Sequence, residues 1–89
     1  MTTLDPEISA RIRGLVIACC ESEITEADID TTEGALAQLG FTSLSYIRLL
    51  DAIENECGVY IDLESEDARL RNVGGLIEVV HEEREQAHA

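Results

Sequence analysis

Between Thr42 and Gly58 the apolar residues Tyr46, Leu49, Leu50, Ile53 and Cys57 fall three and four positions apart. At about 100° per residue they share one side of a helix. A short one-sided helix is marginal alone and must lay its apolar face on a partner. The rest of the chain offers only further helices as that partner, and this fixes the fold class. The spacing predicts a helix from Ser43 to Cys57, with Thr42 as its cap and Gly58 as its stop.

The partners are legible on either side. Asp5-Pro6-Glu7 reads as a helix start: a capping side chain, proline at the first helical position, then an acid at the positive end of the dipole. Ile8, Ile12, Leu15, Val16 and Cys19 follow as one stripe, with Arg11 and Arg13 off it, and the helix is expected to fade near Glu21 or Ser22. Residues 22–42 read as a long connection rich in acids and threonines. Ile24, Ile29, Leu36 and Leu39 are spaced to pin it to a core, and Gly40 ends it. A loop this long in a compact domain is usually functional. Beyond Gly58, Val59-Tyr60-Ile61 reads as a short extended or irregular link, and Glu64 to Arg69 as one helical turn. Asn72 caps a last helix with Val73, Leu76, Ile77 and Val80 inward, and Gly74 and Gly75 allow close backbone packing at its start. The polar stretch from His81 to Ala89 is expected to fray.

No alternating strand pattern and no internal repeat is visible. The expected fold is therefore all-α: a four-helix bundle of three main helices and one short helix, with a long first loop. Residues 1–89 are expected to form a single domain, ordered over about 5–82 with a polar tail at 83–89.

Composition narrows the function. A chain of 89 residues has little interior for an enclosed catalytic pocket. Its formal net charge is −13, and every strongly cationic residue is arginine. Such a field repels nucleic acid and anionic membranes and attracts basic protein surfaces. Nucleic-acid and membrane partners are therefore not expected, and a monomer is. Cys19, Cys20 and Cys57 are odd in number and include an adjacent pair, which suits a reducing cytosol better than a disulfide framework. The N-terminus lacks a basic region followed by an apolar run, so no signal peptide is expected, and the expected location is cytoplasmic.

The side of the 43–57 helix away from the apolar stripe carries Leu44, Ile47, Arg48 and Asp51. Two aliphatic residues there are either isolated exposed side chains or a docking patch. Ser43 stands where the long connection meets the helix start, with its hydroxyl open to a modifying enzyme. A phosphodiester at that point would lie near unpaired N–H groups and the positive end of the helix dipole. On position alone, Thr42 and Ser43 are equally ordinary capping residues.

Gly40-Phe41-Thr42-Ser43-Leu44, with Leu49, Leu50 and Ile53 after it, resembles the attachment site of acyl and peptidyl carrier proteins. Glu54 to Ile61 is similar to the acidic helix end and following link of that family, and Asn72-Val73-Gly74-Gly75-Leu76 to the opening of its last helix. The resemblance spans roughly residues 5 to 82 and implies a free-standing carrier. It implies that a phosphopantetheinyl transferase loads Ser43 with 4′-phosphopantetheine from coenzyme A. The arm then carries acyl or aminoacyl groups as thioesters between a loading enzyme and downstream biosynthetic enzymes. It also implies that Leu44, Ile47, Arg48 and Asp51, with Glu66 and Asp67 after them, contact partner enzymes, and that the chain itself is not an enzyme. Thr42 departs from the acid or histidine common before the serine. Arg48 stands where fatty-acid carriers often have an acid, which points toward nonribosomal peptide or polyketide assembly. Asn72 and Gly75 also depart from the family's usual threonine and acid.

Other chemistries fit less well. Ser43 lacks the second glycine of a nucleophile elbow, and His81 and His88 fall at the last helix and tail. Asp28 to Gly34 hints at a calcium loop, but its glycine is one place late and its twelfth position is Leu39. No Cys-x-x-Cys pair offers a zinc site, and Cys19 and Cys57 read as small apolar residues. The remaining alternative is a non-carrier acidic helical adaptor that binds a basic protein.

Overall fold

The computed structural model describes residues 6–62, 64–65 and 67–87. Four α-helices follow one another: α1 (Pro6–Cys19), α2 (Glu26–Thr31), α3 (Ser43–Cys57) and α4 (Val73–Ala87), with a 3-10 turn over Ala68–Arg71 just before α4. Among the described residues there is no strand, only an isolated antiparallel bridge between Ala35 and Asn72. The all-α bundle expected from the helix periodicities is what forms. No helix among the described residues is long and apolar enough to cross a membrane.

α1 packs on both α3 and α4, and the 3-10 turn packs on α4. Ile12 and Val16 of α1 meet Leu49, Leu50 and Ile53 of α3 and Leu76 and Val80 of α4, all essentially removed from water. Leu15 and Cys19, predicted in the same stripe, are half-buried at its edge. Ile29, Leu36 and Leu39 pin the connection to this core as their spacing predicts, with Ile24 half-buried beside it. α3 has the predicted bounds. Gly58 closes it in the left-handed conformation (φ 67°), which favours glycine, and its N–H donates to the Glu54 carbonyl.

Four local expectations shift. The 22–42 connection contains α2, a six-residue helix opened by a capping box in which the Thr25 and Asp28 side chains each accept the other's backbone N–H. With one buried position, Ile29, it carries no periodic signal. α1 stops at Cys19 rather than near Ser22, and the Cys20 thiol donates to the Leu39 carbonyl at 3.3 Å. The turn expected over Glu64–Arg69 lies slightly later, because Asp67 caps it by accepting the Arg69 N–H at 3.0 Å. α4 stays helical to Ala87, well past His81, because Arg69 ties its middle to the 3-10 turn through Glu82 and His81 sits 3.1 Å from Glu85 one turn on. The predicted Asp5 cap lies outside the described residues.

Asn72 does cap α4, as expected. Its Oδ1 accepts the N–H groups of Gly74 at 2.9 Å and Gly75 at 3.3 Å, while its Nδ2 donates to the Glu33 carbonyl at 2.7 Å. The Leu36 N–H donates to the Arg71 carbonyl at 3.1 Å, and the Val73 N–H to Gly34 at 2.9 Å. These bonds fasten the end of the connection to the start of α4. They thereby place Arg71 beside the residues that lead into α3.

Candidate functional site

Three hydroxyls stand together where the connection enters α3, and their environments differ. Thr42 is the cap: its Oγ1 accepts the Ser45 N–H at 3.1 Å. Ser45 returns the bond, its Oγ accepting the Thr42 N–H at 2.8 Å. Ser45 is fully buried. Ser43, between them, is exposed, and among the described residues its hydroxyl has no hydrogen-bond partner. The two capping hydroxyls hold the backbone, and the middle one is left free.

The Ser45 bonds make a stability prediction. Ser45→Ala removes a buried hydroxyl that satisfies the Thr42 N–H, and should lower unfolding free energy by about 1–2 kcal/mol. A urea midpoint equal to the parent's would show that the reciprocal cap contributes nothing.

The electrostatics at Ser43 favour an anion. The first turn of α3 contains no acid. The N–H groups of Ser43 and Leu44 have no protein acceptor among the described residues, as is general for a helix opening. In a chain of net charge −13, this helix end keeps its positive dipole uncompensated. An open cleft of about 230 Å³ lies alongside. Thr42 and Ser43 form its lip, and Leu36, Ala37, Phe41, Tyr46 and Arg71 line the rest. Tyr46 is fixed there by donating its hydroxyl to the Leu70 carbonyl at 2.7 Å. Burial pushes the Tyr46 hydroxyl above its ordinary pKa, and the nearby Arg71 charge opposes that rise.

The residues present fit a phosphodiester-linked group: a free hydroxyl, unpaired N–H donors, no competing first-turn carboxylate and a neighbouring guanidinium. The sequence gives Arg71 no role at this site and reads Tyr46 only as a core-facing residue. The approach of Arg71 to Ser43 depends on the long-range bonds between residues 34–36 and 71–73 and on the Tyr46 bond to Leu70, which local spacing does not encode.

The predicted docking residues divide. Leu44 and Ile47 are 53% and 51% exposed, and Arg48 and Asp51 beside them on α3 are exposed as well. Asp67 lies on a different segment, and its carboxylate is engaged by Arg69 at 2.8 Å, which holds its pKa below the usual carboxylate range. Glu66 and His88 lie outside the described residues. His81 is half-buried on α4. Cys57 is buried in the core.

The model of the family described as "Phosphopantetheine attachment site" matches residues 14–80, which takes in the last part of α1, all of α2 and α3, and α4 as far as Val80. No curated protein and no solved structure matches the chain. The matched span covers well over half the sequence and contains the free hydroxyl, its helix and its cleft. The chain thus belongs to the phosphopantetheine-attachment family: it is a carrier protein whose cofactor is a covalently bound 4′-phosphopantetheine.

Proposed function

We propose that Ser43 is the attachment hydroxyl, and that the chain presents acyl or aminoacyl thioesters to partner enzymes in nonribosomal peptide or polyketide-type biosynthesis. The observation that carries the first part is the contrast among neighbouring hydroxyls, with Ser43 exposed and unbonded between two engaged in capping. In the modification, the Ser43 Oγ–H gives its proton to a base of the transferase. A new bond forms from Oγ to the phosphorus of coenzyme A nearest the pantetheine, and 3′,5′-ADP departs with the electron pair of the bond that breaks. The bound arm supplies the thiol on which cargo is held.

The protein's own contribution is physical. It tethers cargo at high effective concentration, and its acidic surface steers basic partners. It supplies no catalytic base. Arg48, exposed on α3 where fatty-acid carriers often have an acid, supports the assignment to specialised metabolism. The proposed setting is cytoplasmic, with the chain a monomer.

Leu44 and Ile47 give the exposed side of α3 an apolar centre flanked by Arg48 and Asp51, and this is the proposed docking face. Ile47→Glu should weaken transferase engagement about tenfold, read as KM, the size of a modest interface anchor. The fold should lose no more than about 0.5 kcal/mol, since the side chain is half in water. Loss of most helical signal in this variant would overturn the face assignment. The function as a whole is tested by incubating native protein with coenzyme A and a transferase. A carrier gains one phosphopantetheine by intact mass, and an acidic adaptor gains none.

A further inference from the structure

The chain has six arginines and no lysine against nineteen acids, and among the described residues two of the arginines form ion pairs. Arg13 is paired with Glu26 and Asp30, and Arg69 with Asp67 and Glu82. Arg11 donates to the Glu56 carbonyl at 3.1 Å. Arg71 is exposed and, among the described residues, has no carboxylate within ion-pair distance. Arg48 and Arg84 share that lack, but neither lines the cleft at Ser43, and Arg71 does. Backbone bonds hold Arg71 in place: its carbonyl accepts the Leu36 N–H, and the neighbouring Val73 N–H is bonded to Gly34.

We propose that Arg71 is the counterion of the phosphodiester on Ser43, a positioning residue that draws the root of the arm into the cleft beside Phe41 and Tyr46. The inference rests on Ser43 being the attachment point. A guanidinium matches two phosphate oxygens at once and remains charged at any working pH. The N–H groups at the start of α3 approach the same phosphate from the helix side. Together they set a direction. The phosphodiester leans toward the flank of α3 that carries Tyr46, and the face with Leu44, Ile47, Arg48 and Asp51 stays clear for a partner. Because the pair is exposed, salt should weaken it.

The test uses the full chain labelled with ¹⁵N, compared before and after conversion to the loaded form, with loading verified by intact mass. The Arg71 side-chain Nε–H resonance is expected to move on loading more than that of any other arginine. The movement should vanish at about 1 M salt, where the screening length is about 3 Å. The ³¹P resonance of the loaded chain should shift with salt in the parent and in Arg11→Gln, and stay still in Arg71→Gln. Arg11 is a suitable control because it contacts the far end of α3, about 20 Å from Ser43. An unmoved Arg71 resonance in verified loaded protein overturns the proposal while leaving Ser43 as the attachment point. So does a ³¹P salt response that is identical in Arg71→Gln. The resonance of the unsubstituted protein decides the matter even if Arg71→Gln folds poorly. Failure of native protein to gain mass overturns the attachment reading itself, and this inference with it.

Discussion

Ser43→Ala is expected to gain no mass on incubation with coenzyme A and a phosphopantetheinyl transferase under conditions that load the native chain fully. The effect should be complete, because neither neighbouring hydroxyl can substitute. The Ser45 oxygen is sealed from solvent and bonded to the Thr42 N–H. The Thr42 oxygen accepts the Ser45 N–H and sits one residue before the helix. The fold should barely notice. Ser43 is exposed, its hydroxyl has no partner among the described residues, and alanine is at least as good a helix former, so unfolding free energy should change by less than about 0.5 kcal/mol. Loss of loading in a chain whose urea transition has not moved separates loss of the anchor from loss of the structure. Undiminished loading in that variant would remove Ser43 from the account.

Gly75→Ala should produce the largest loss of stability of any single methyl addition considered. A β-carbon there would stand 2.1 Å from the Arg69 carbonyl oxygen and 2.6 Å from the Arg69 Cα, and both are backbone atoms. The 3-10 turn lies directly against the start of α4 at this point, and no side-chain rotation relieves the clash. Alanine gains about 1 kcal/mol in helix propensity over glycine, but forcing the turn away from α4 costs more. We expect a net loss of about 3 kcal/mol, a large share of the few kcal/mol that hold a domain of this size. Gly74→Ala is the comparison. Its β-carbon would meet only the Asn72 side-chain oxygen, at 3.2 Å, so the outcome should stay within about 1 kcal/mol of the parent. Equal urea midpoints for the two variants would contradict the close packing described for Gly75.

The asymmetry between these glycines marks what the sequence makes legible. The pair at 74–75 signals close packing somewhere near the start of the last helix, but only the fold shows that Gly75 makes the contact. The bounds of α3 are legible because an amphipathic stripe, a threonine cap and a left-handed glycine all agree. α2 is not, because a six-residue helix with one buried side chain leaves no period to detect. Ser43 is legible through its place at a helix opening and the residues around it. The burial of Ser45 and its return bond to the Thr42 N–H are not, because a second serine two places on looks like the first until its bonds are known. Arg71 is the clearest loss. It lies 28 positions from Ser43, and long-range bonds from Leu36, Val73, Asn72 and Tyr46 bring its segment alongside the α3 opening.

The most direct test is to locate the added mass within the loaded chain by fragmentation. Fragments from the N-terminus that end at Thr42 should be unmodified, and those that extend through Ser43 but stop before Ser45 should carry one whole phosphopantetheine. The added mass on Thr42, on Ser45 or anywhere outside this helix opening would contradict the claim that the Ser43 hydroxyl is the anchor.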